Sequence, residues 1–305
     1  MIQKVICHSD FDGLTCAVLL SEIFKPEHVL ITEPKQIRDG NIELTKDDIV
    51  ADLPIPAKEV YMAFDHHSGT TKTIIRGDWF ILDPKAPSCA RVIYDEYEKT
   101  YPAIRKWEQM VYWADKIDSA NMSMAEYEKD TPYNKISITL SSFDKELDKF
   151  YIKYLIDKIL EYKDIEKVSK LDWVNGRYKY RQYSAKRWRE MIKGYVKEED
   201  GIIIMDLREL KEFIPKGNYW ELYKMHPNAS ISIKIANNNV KGETLISMSE
   251  NMFHKGRNKV HLGELAAKYQ GGGHFGASGC SVDQNKADHT IKHIVKELKD
   301  GNKNR

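Results

Sequence analysis

A chain of 305 residues is about twice the ~150-residue domain size and predicts two domains, and 42% hydrophobic residues suffice for a core in each, which excludes disorder as the main state. With 30% charged residues and apolar runs no longer than Gly201 to Met205, nothing reaches the ~20 residues needed to cross a bilayer, so no membrane partner is expected. Met1 to Asp10 places a strand-like segment and then acidic residues where a signal peptide carries basic residues followed by an apolar stretch, which predicts a cytoplasmic location.

The first third alternates short apolar runs with amphipathic segments, the pattern of an α/β domain with a mostly parallel sheet flanked by helices. Lys4 to Cys7, His28 to Thr32, Asp48 to Ala51, Val60 to Phe64 and Trp79 to Leu82 are the predicted strands. Gly13 to Phe24 places Leu14, Val18, Leu19 and Ile23 at helical spacing, and Ser88 to Tyr97 and Ala103 to Asp115 are the next helices. From Lys145 to about Glu199 the pattern is helical and heavily charged. After the acidic patch Glu198-Glu199-Asp200, strands return at Gly201 to Met205, Ser230 to Ala236 and Glu243 to Met248. Helices over Leu262 to Tyr269 and Lys286 to Lys299 complete a smaller α/β domain, and Asp300 to Arg305 reads as a disordered tail. The expected domains are residues 1–145, a helical connector over 146–199, and 200–305. Cys7, Cys16, Cys89 and Cys280 lie far apart without a CxxC pair, so they read as buried thiols rather than a disulfide framework or a thiolate zinc site.

Charge is unevenly distributed. Residues 1–60 carry eleven acidic and six basic side chains, whereas residues 163–197 carry eleven basic and four acidic ones. An acidic end suits cations and a basic stretch suits phosphates, although charge runs also serve as solvated faces. In the basic stretch Lys179, Arg181, Lys186, Arg187 and Arg189 interleave with Tyr178, Tyr180, Tyr183 and Trp188. That composition grips phosphates and stacks bases, or packs between domains with its charged tips in water.

His8-Ser9-Asp10-Phe11-Asp12-Gly13 directly follows the first strand and opens the first helix. A His-x-Asp-x-Asp spacing aims one imidazole and two carboxylates into one space as the chain turns, and Gly13 supplies the freedom for that turn. By itself the segment also fits solvated loop residues with Asp12 as a helix cap. However, Asp52 follows the run Ile49-Val50-Ala51, and Asp65-His66-His67 follows Val60 to Phe64. Three groups of metal-ligand residue types thus stand at the carboxyl ends of three predicted strands, where open α/β sheets place their ligand sites. Imidazole and carboxylate ligands without thiolates suit a harder ion such as Mn²⁺, and the side chains are too many for one metal. Asp115 ends the run Met110 to Ala114, with Asp118 a turn later; carboxylates so placed are ligands, surface residues or caps.

In the second domain, Gly271-Gly272-Gly273-His274-Phe275-Gly276-Ala277-Ser278-Gly279 follows a predicted helix. Triple glycine lets backbone N–H groups approach an anion closely, with His274 as a further donor; the alternative is a helix C-cap and a mobile loop. Arg91 and His254 are further candidate anion contacts.

His8-x-Asp10-x-Asp12-Gly13, Asp52, Asp65-His66-His67 and Trp113-Ala114-Asp115-Lys116-Ile117-Asp118-Ser119-Ala120 resemble, in order, the four motifs of the DHH phosphoesterase family, and Gly271-Gly272-Gly273-His274 resembles the glycine-rich signature of its DHH-associated domain. The resemblance implies that His8 and Asp10 hold one manganese, that Asp12, His66 and Asp115 hold the other, and that Asp52 bridges them. Asp115 is taken over Asp118 because it directly ends the apolar run. Asp65 would orient His66 from behind, His67 would face the phosphate, and Gly271, Gly272, Gly273 and His274 would face the metals across an interdomain cleft and bind the substrate's non-scissile part. Two departures stand out. The first motif is the compact form, and Ser247-Met248-Ser249 stands where nucleotide-cleaving members carry a Ser-x-Arg strand, leaving Lys255 and Arg257 as replacements for that arginine.

The resemblance predicts a manganese-dependent phosphodiesterase that hydrolyses short oligonucleotides or small nucleotide phosphodiesters by two-metal water attack; a homodimer is a candidate assembly, with the oligomeric state left open by the sequence. The alternatives are a phosphoanhydride hydrolase acting on polyphosphate or pyrophosphate, and a nucleotide-binding regulator with a vestigial site.

Overall fold

In the computed structural model, residues 1–67, 75–141, 144–210 and 219–303 are described, and the chain divides into two units, Met1–Arg181 and Gln182–Arg305. The first unit is built on strands whose apolar runs are too short for helices and are covered on both faces. They are β1 (Lys4–His8), β2 (His28–Thr32), β3 (Asp48–Ala51), β4 (Met62–Asp65), β5 (Ile75–Arg76) and β6 (Phe80–Leu82), in the order β2-β1-β3-β4-β6-β5. All neighbours run parallel except the edge strand β5, which is antiparallel to β6. This is the mostly parallel α/β sheet expected, with the predicted strand at Val60 to Phe64 shifted to Met62–Asp65.

Helix α1 (Phe11–Phe24) buries every residue from Phe11 to Leu20, so it is a core helix rather than a half-exposed amphipathic one. A short α2 (Pro34–Arg38) follows β2. After β6 come α3 (Cys89–Tyr97) and α4 (Glu108–Asp118), both packed on α1. Helices α5 (Met124–Glu128), α6 (Pro132–Thr139), α7 (Lys145–Tyr162) and α8 (Ile165–Ser169) complete this layer, with α7 packed on α1 and β2. Residues 146–199, expected as one connector, are divided instead between the two units. Helix α9 (Asp172–Ile192) carries the boundary, and β7 (Val196–Glu199) is already a strand of the second sheet.

The second sheet adds β8 (Ile202–Asp206), β9 (Ile231–Asn238), β10 (Glu243–Glu250), β11 (Gly272–Gly273) and β12 (Ala277–Asp283), in the order β11-β12-β10-β9-β8-β7, and only β8 and β9 are parallel. Its helices are α10 (Tyr219–Met225), α11 (Leu262–Ala267) and α12 (Ala287–Lys303). Ile204, Ile233 and Ile246 pack with Ile294 and Leu298 of α12 on one side, while Ile203 and Met205 pack with Trp188 and Tyr223 on the other. The Glu198-Glu199-Asp200 patch is part of the β7–β8 hairpin, where Asp200 (φ 51°) and Gly201 (φ 75°) make the turn. The tail expected to be disordered from Asp300 continues α12 to Lys303, and residues 304 and 305 lie outside the described residues. Among the described residues no helix is long and apolar enough to cross a membrane.

Candidate metal centre

The parallel register sets the site. Cys7 of β1 pairs with Ala51 of β3, and Ala51 with Phe64 of β4, so His8, Asp52 and Asp65 all emerge at one edge of the sheet. There the chain turns sharply into α1. Asp10 caps that helix, accepting from the Gly13 N–H at 2.9 Å, and a Cβ on Gly13 would stand 2.2 Å from the His8 carbonyl oxygen, so only glycine permits the approach. Asp52 takes a left-handed conformation, φ 58°, and is held in it by its own N–H, which meets the Phe64 carbonyl at 3.0 Å and the Cys89 thiol at 3.2 Å.

Asp12 points back from the first turn of α1 to the start of α3. Its carboxylate accepts from the N–H of Cys89 at 2.7 Å and of Ala90 at 2.8 Å, which places negative charge at a helix N-terminus. Asp65 is buried and takes three hydrogen bonds on one oxygen: from the N–H of His66 (2.8 Å), the N–H of His67 (3.1 Å) and Nδ1 of His67 (2.9 Å). It therefore fixes the turn after β4 and the ring of His67, whereas the His66 ring is set by its Nδ1 contact with the Ala86 carbonyl at 3.3 Å.

Three groups of donors result: His8, Asp10 and Asp52; Asp52, His66 and His67; and Asp12, His66 and Asp118, each with donor atoms within 4.8 Å of one another. His8 Nδ1 stands 2.9 Å from Asp10 and 3.6 Å from Asp52. His66 Nε2 stands 3.8 Å from both Asp12 and Asp52, and 3.1 Å from Asp118. Asp52 and His66 each occur in two groups.

Charge crowds here. Burial, reinforced by the charges of Asp10 and Asp118, pushes Asp12 up to about 7. Burial with Asp12, Asp10 and Asp118 nearby holds Asp52 well above the usual carboxylate range. Burial works against the charge of His66, but the adjacent Asp118 carboxylate and the charge of Asp12 outweigh it and raise the imidazole to about 9. Burial also opposes ionisation of Asp10, yet its contact with His8 and the Gly13 N–H lower it overall. Meanwhile both carboxylate oxygens of Asp52, His66 Nε2 and His8 Nδ1 are buried without a hydrogen-bond partner. Such groups are costly in a protein interior, and a cation among them satisfies all four. The residues therefore fit divalent metal ions, and their oxygen and imidazole donors suit Mn²⁺ or a similar ion.

The structure sorts the expected residues. His8, Asp10, Asp12, Asp52 and His66 come together, with Asp65 and His67 beside them. Asp115 does not join them: its carboxylate accepts from Arg91 at 2.7 and 3.1 Å and from the Ser88 hydroxyl at 2.6 Å. Asp118, one turn on, reaches His66 instead. Arg91 is accordingly an ion-pair partner. Glu33, absent from the sequence reading, accepts from the Ser9 hydroxyl at 2.5 Å and lies 3.8 Å from His8 Nε2; nothing local in sequence links it to His8, because it follows the neighbouring strand β2. The four cysteines are free and buried, and burial pushes Cys89 up to about 12.

In the second unit the glycine-rich segment is a hairpin rather than a mobile loop. Gly272 and Gly273 pair with Gly279 and Ser278, and the His274 N–H closes the turn on the Ala277 carbonyl at 2.7 Å. A Cβ on Gly271 would stand 2.2 Å from the Gly279 carbonyl oxygen, while one on Gly272 would meet nothing. His274 and Arg257 are exposed, and His254 is half-buried. From the basic stretch, Trp188 is core, Arg189 pairs with Glu221, and Tyr180 and Tyr183 are exposed.

The fold and the donor arrangement are similar to those of DHH-family phosphoesterases, which are metal-dependent hydrolases. No family model matches the chain, and no curated protein matches it. Among solved structures it is similar to a pGpG-specific phosphodiesterase, PggH from Vibrio cholerae, with TM-score 0.82 and 28% identity over 98% of this chain and 99% of that one. It shares its fold with an exopolyphosphatase-related protein from Bacteroides fragilis (TM-score 0.56, 16% identity, 98% and 93% covered). It also shares it with RecJ from Thermus thermophilus in complex with Mn²⁺ (TM-score 0.53, 13% identity, 97% and 51% covered).

Proposed function

We propose that this protein is a manganese-dependent phosphodiesterase that cleaves short linear oligonucleotides, with a 5′-phosphorylated purine dinucleotide such as pGpG as the preferred size. The likeness to the pGpG-specific enzyme over nearly the whole of both chains carries this reading.

In this reading His8, Asp10 and Asp52 would hold one Mn²⁺, and Asp12, Asp52, His66 and Asp118 the second. Bound there, the ions would supply Lewis-acid stabilisation of the phosphoryl oxygens and a more acidic water, the chemistry that phosphodiester hydrolysis requires. The chain's own residues do the positioning. Asp12 is fixed by two backbone N–H groups, and Asp10 by one, so neither carboxylate swings when its charge partner changes. His67 has its Nδ1 held by Asp65, which leaves Nε2 of a 61% exposed ring facing outward, where it would donate to a phosphoryl oxygen when the ring carries both protons. Gly271, Gly272, Gly273 and His274 bind the non-scissile phosphate, with the bare edge of Gly272 available to an anion, and Arg257 is the second-unit cation assigned to the substrate.

The test is hydrolysis by metal-stripped protein reconstituted with Mn²⁺, comparing pGpG, a cyclic dinucleotide and polyphosphate. Linear dinucleotide cleaved to mononucleotides is the expected result. Orthophosphate released from polyphosphate, with the dinucleotide intact, would overturn this reading in favour of phosphoanhydride hydrolysis.

A further inference from the structure

Helix α12 is held by one face. Ala287, Thr290, Ile294 and Leu298 are buried, and Ile294 and Leu298 belong to the core under the second sheet. The outward side carries His289 and His293, the only two of the chain's ten histidines at i, i+4 spacing. Residues four apart are neighbours on a helix surface, and the two rings here have centroids 4.5 Å apart with planes inclined by 36°. Both side chains are exposed. Among the described residues neither ring makes a hydrogen bond or an ion pair, so their only ring contact is with each other.

Two free imidazoles presented one turn apart on an anchored helix are a chelate: both nitrogens reach one ion without any change of backbone. The surrounding charges decide which ion. The nearest carboxylates on α12 are engaged elsewhere, Asp288 with Arg208 and Glu297 with Lys268. Every group of three close metal-ligand side chains among the described residues lies at the centre in the first unit, so this pair has no carboxylate to complete it. Lys292 and Lys296 are exposed on the same helix and repel a cation. An ion held here must therefore bind through coordinate bonds to nitrogen rather than through charge. Imidazole suits Zn²⁺, Ni²⁺ and Cu²⁺, whereas Mn²⁺ stands at the weak end of the affinity order and depends on the carboxylates that this site lacks. The two metal-binding regions of the chain thus have opposite preferences.

We propose that His289 and His293 form a two-imidazole site for one borderline divalent ion, Zn²⁺, Ni²⁺ or Cu²⁺, with water in the remaining coordination positions. The site shares no residue with the metal centre of the first unit, so the proposal does not rest on the catalytic reading.

The experiment is equilibrium dialysis of the metal-stripped full chain against Zn²⁺ and, separately, against Mn²⁺, with bound metal counted per chain. Wild type is compared with His289→Ala, His293→Ala and the double variant, each also in a His66→Ala background that weakens the first centre. Wild type should hold one more Zn²⁺ per chain than the double variant, and the same difference should persist in the His66→Ala background. Each single substitution should weaken that ion at least about tenfold, because one imidazole replaces a chelating pair. The Mn²⁺ count should be the same in wild type and the double variant, and the melting temperature of the metal-free double variant should be unchanged, because both side chains are exposed. Equal Zn²⁺ counts in wild type and the double variant would overturn the proposal, as would single variants that keep wild-type affinity or a pair that binds Mn²⁺ as tightly as Zn²⁺. Turnover plays no part in the count, so failure of the catalytic reading is recognised separately.

Discussion

The imidazole of His66 meets the carboxylate of Asp118 at 3.1 Å, at the last residue of a helix whose preceding turn carries a second aspartate facing elsewhere. Asp115 is spent on Arg91 and Ser88. The two carboxylates, three residues apart, therefore have different tasks, and mutation separates them.

Asp118→Asn should reduce Mn²⁺ affinity and turnover by about a hundredfold or more, with little change in the stability of the metal-free protein. Asp115→Asn should keep the metal stoichiometry and lose about 1–2 kcal/mol of stability, because Arg91 is partly exposed and water screens part of the lost pair. Metal titration and denaturant unfolding of both variants decide it; metal loss in the Asp115 variant alone would reverse the assignment.

Asp52→Asn should abolish measurable turnover, a loss of about a thousandfold or more, because this buried carboxylate, with both oxygens unpaired, belongs to two donor groups. The same change should raise the melting temperature of the metal-free protein by relieving a buried carboxylate among like charges. It should also remove most of the stabilisation that Mn²⁺ gives the wild type. Unchanged metal-induced stabilisation would exclude Asp52 as a shared ligand.

The metal-free protein should lose stability as pH rises from about 4 to about 9. Asp12, raised by burial to about 7, keeps its proton in the folded chain where the unfolded chain has already lost it, so stability falls between the ordinary carboxylate range and about 7. His66, raised to about 9 by Asp118 and Asp12 against the effect of burial, contributes stability that is complete below about 6.5 and is lost as pH rises through about 9. Calorimetric melting across this range should show the fall without metal and a flatter curve with saturating Mn²⁺, whose binding displaces the same protons. A metal-free melting temperature that rises from pH 5 to pH 8 would contradict these assignments.

Gly13→Ala should destabilise the fold by about 2–4 kcal/mol and weaken metal binding together, since the added methyl collides with the His8 carbonyl and pushes α1 away from the end of β1. Urea unfolding and Mn²⁺ titration of the variant test the coupling. A stable variant with poor metal binding would separate the turn from the fold.

Much of this was legible in the chain itself. Apolar runs of four or five residues, each ending in Asp or His, mark parallel strands whose carboxyl ends carry ligands, because a buried parallel strand cannot hold a charge until it leaves the sheet. The buried state of the four cysteines also followed from their spacing. The choice between Asp115 and Asp118 did not. Helix periodicity places both on neighbouring turns, and only the packing of α3 on α4 brings Arg91 to Asp115 and leaves Asp118 free for His66. The glycine run was equally ambiguous, since a phosphate loop and a tight hairpin both require residues without Cβ, and cross-strand pairing with Gly279 and Ser278 shows which of those glycines the backbone itself demands.

The sequence by itself determined the α/β class and singled out five side chains, His8, Asp10, Asp12, Asp52 and His66, that the structure gathers at one sheet edge, because strand pattern and motif order are local properties of the chain. Only the tertiary structure decided which carboxylate completes the second donor group and that Glu33 stands beside His8. Each depends on contacts between elements distant in sequence, whose geometry is set by how the helices pack on the sheet.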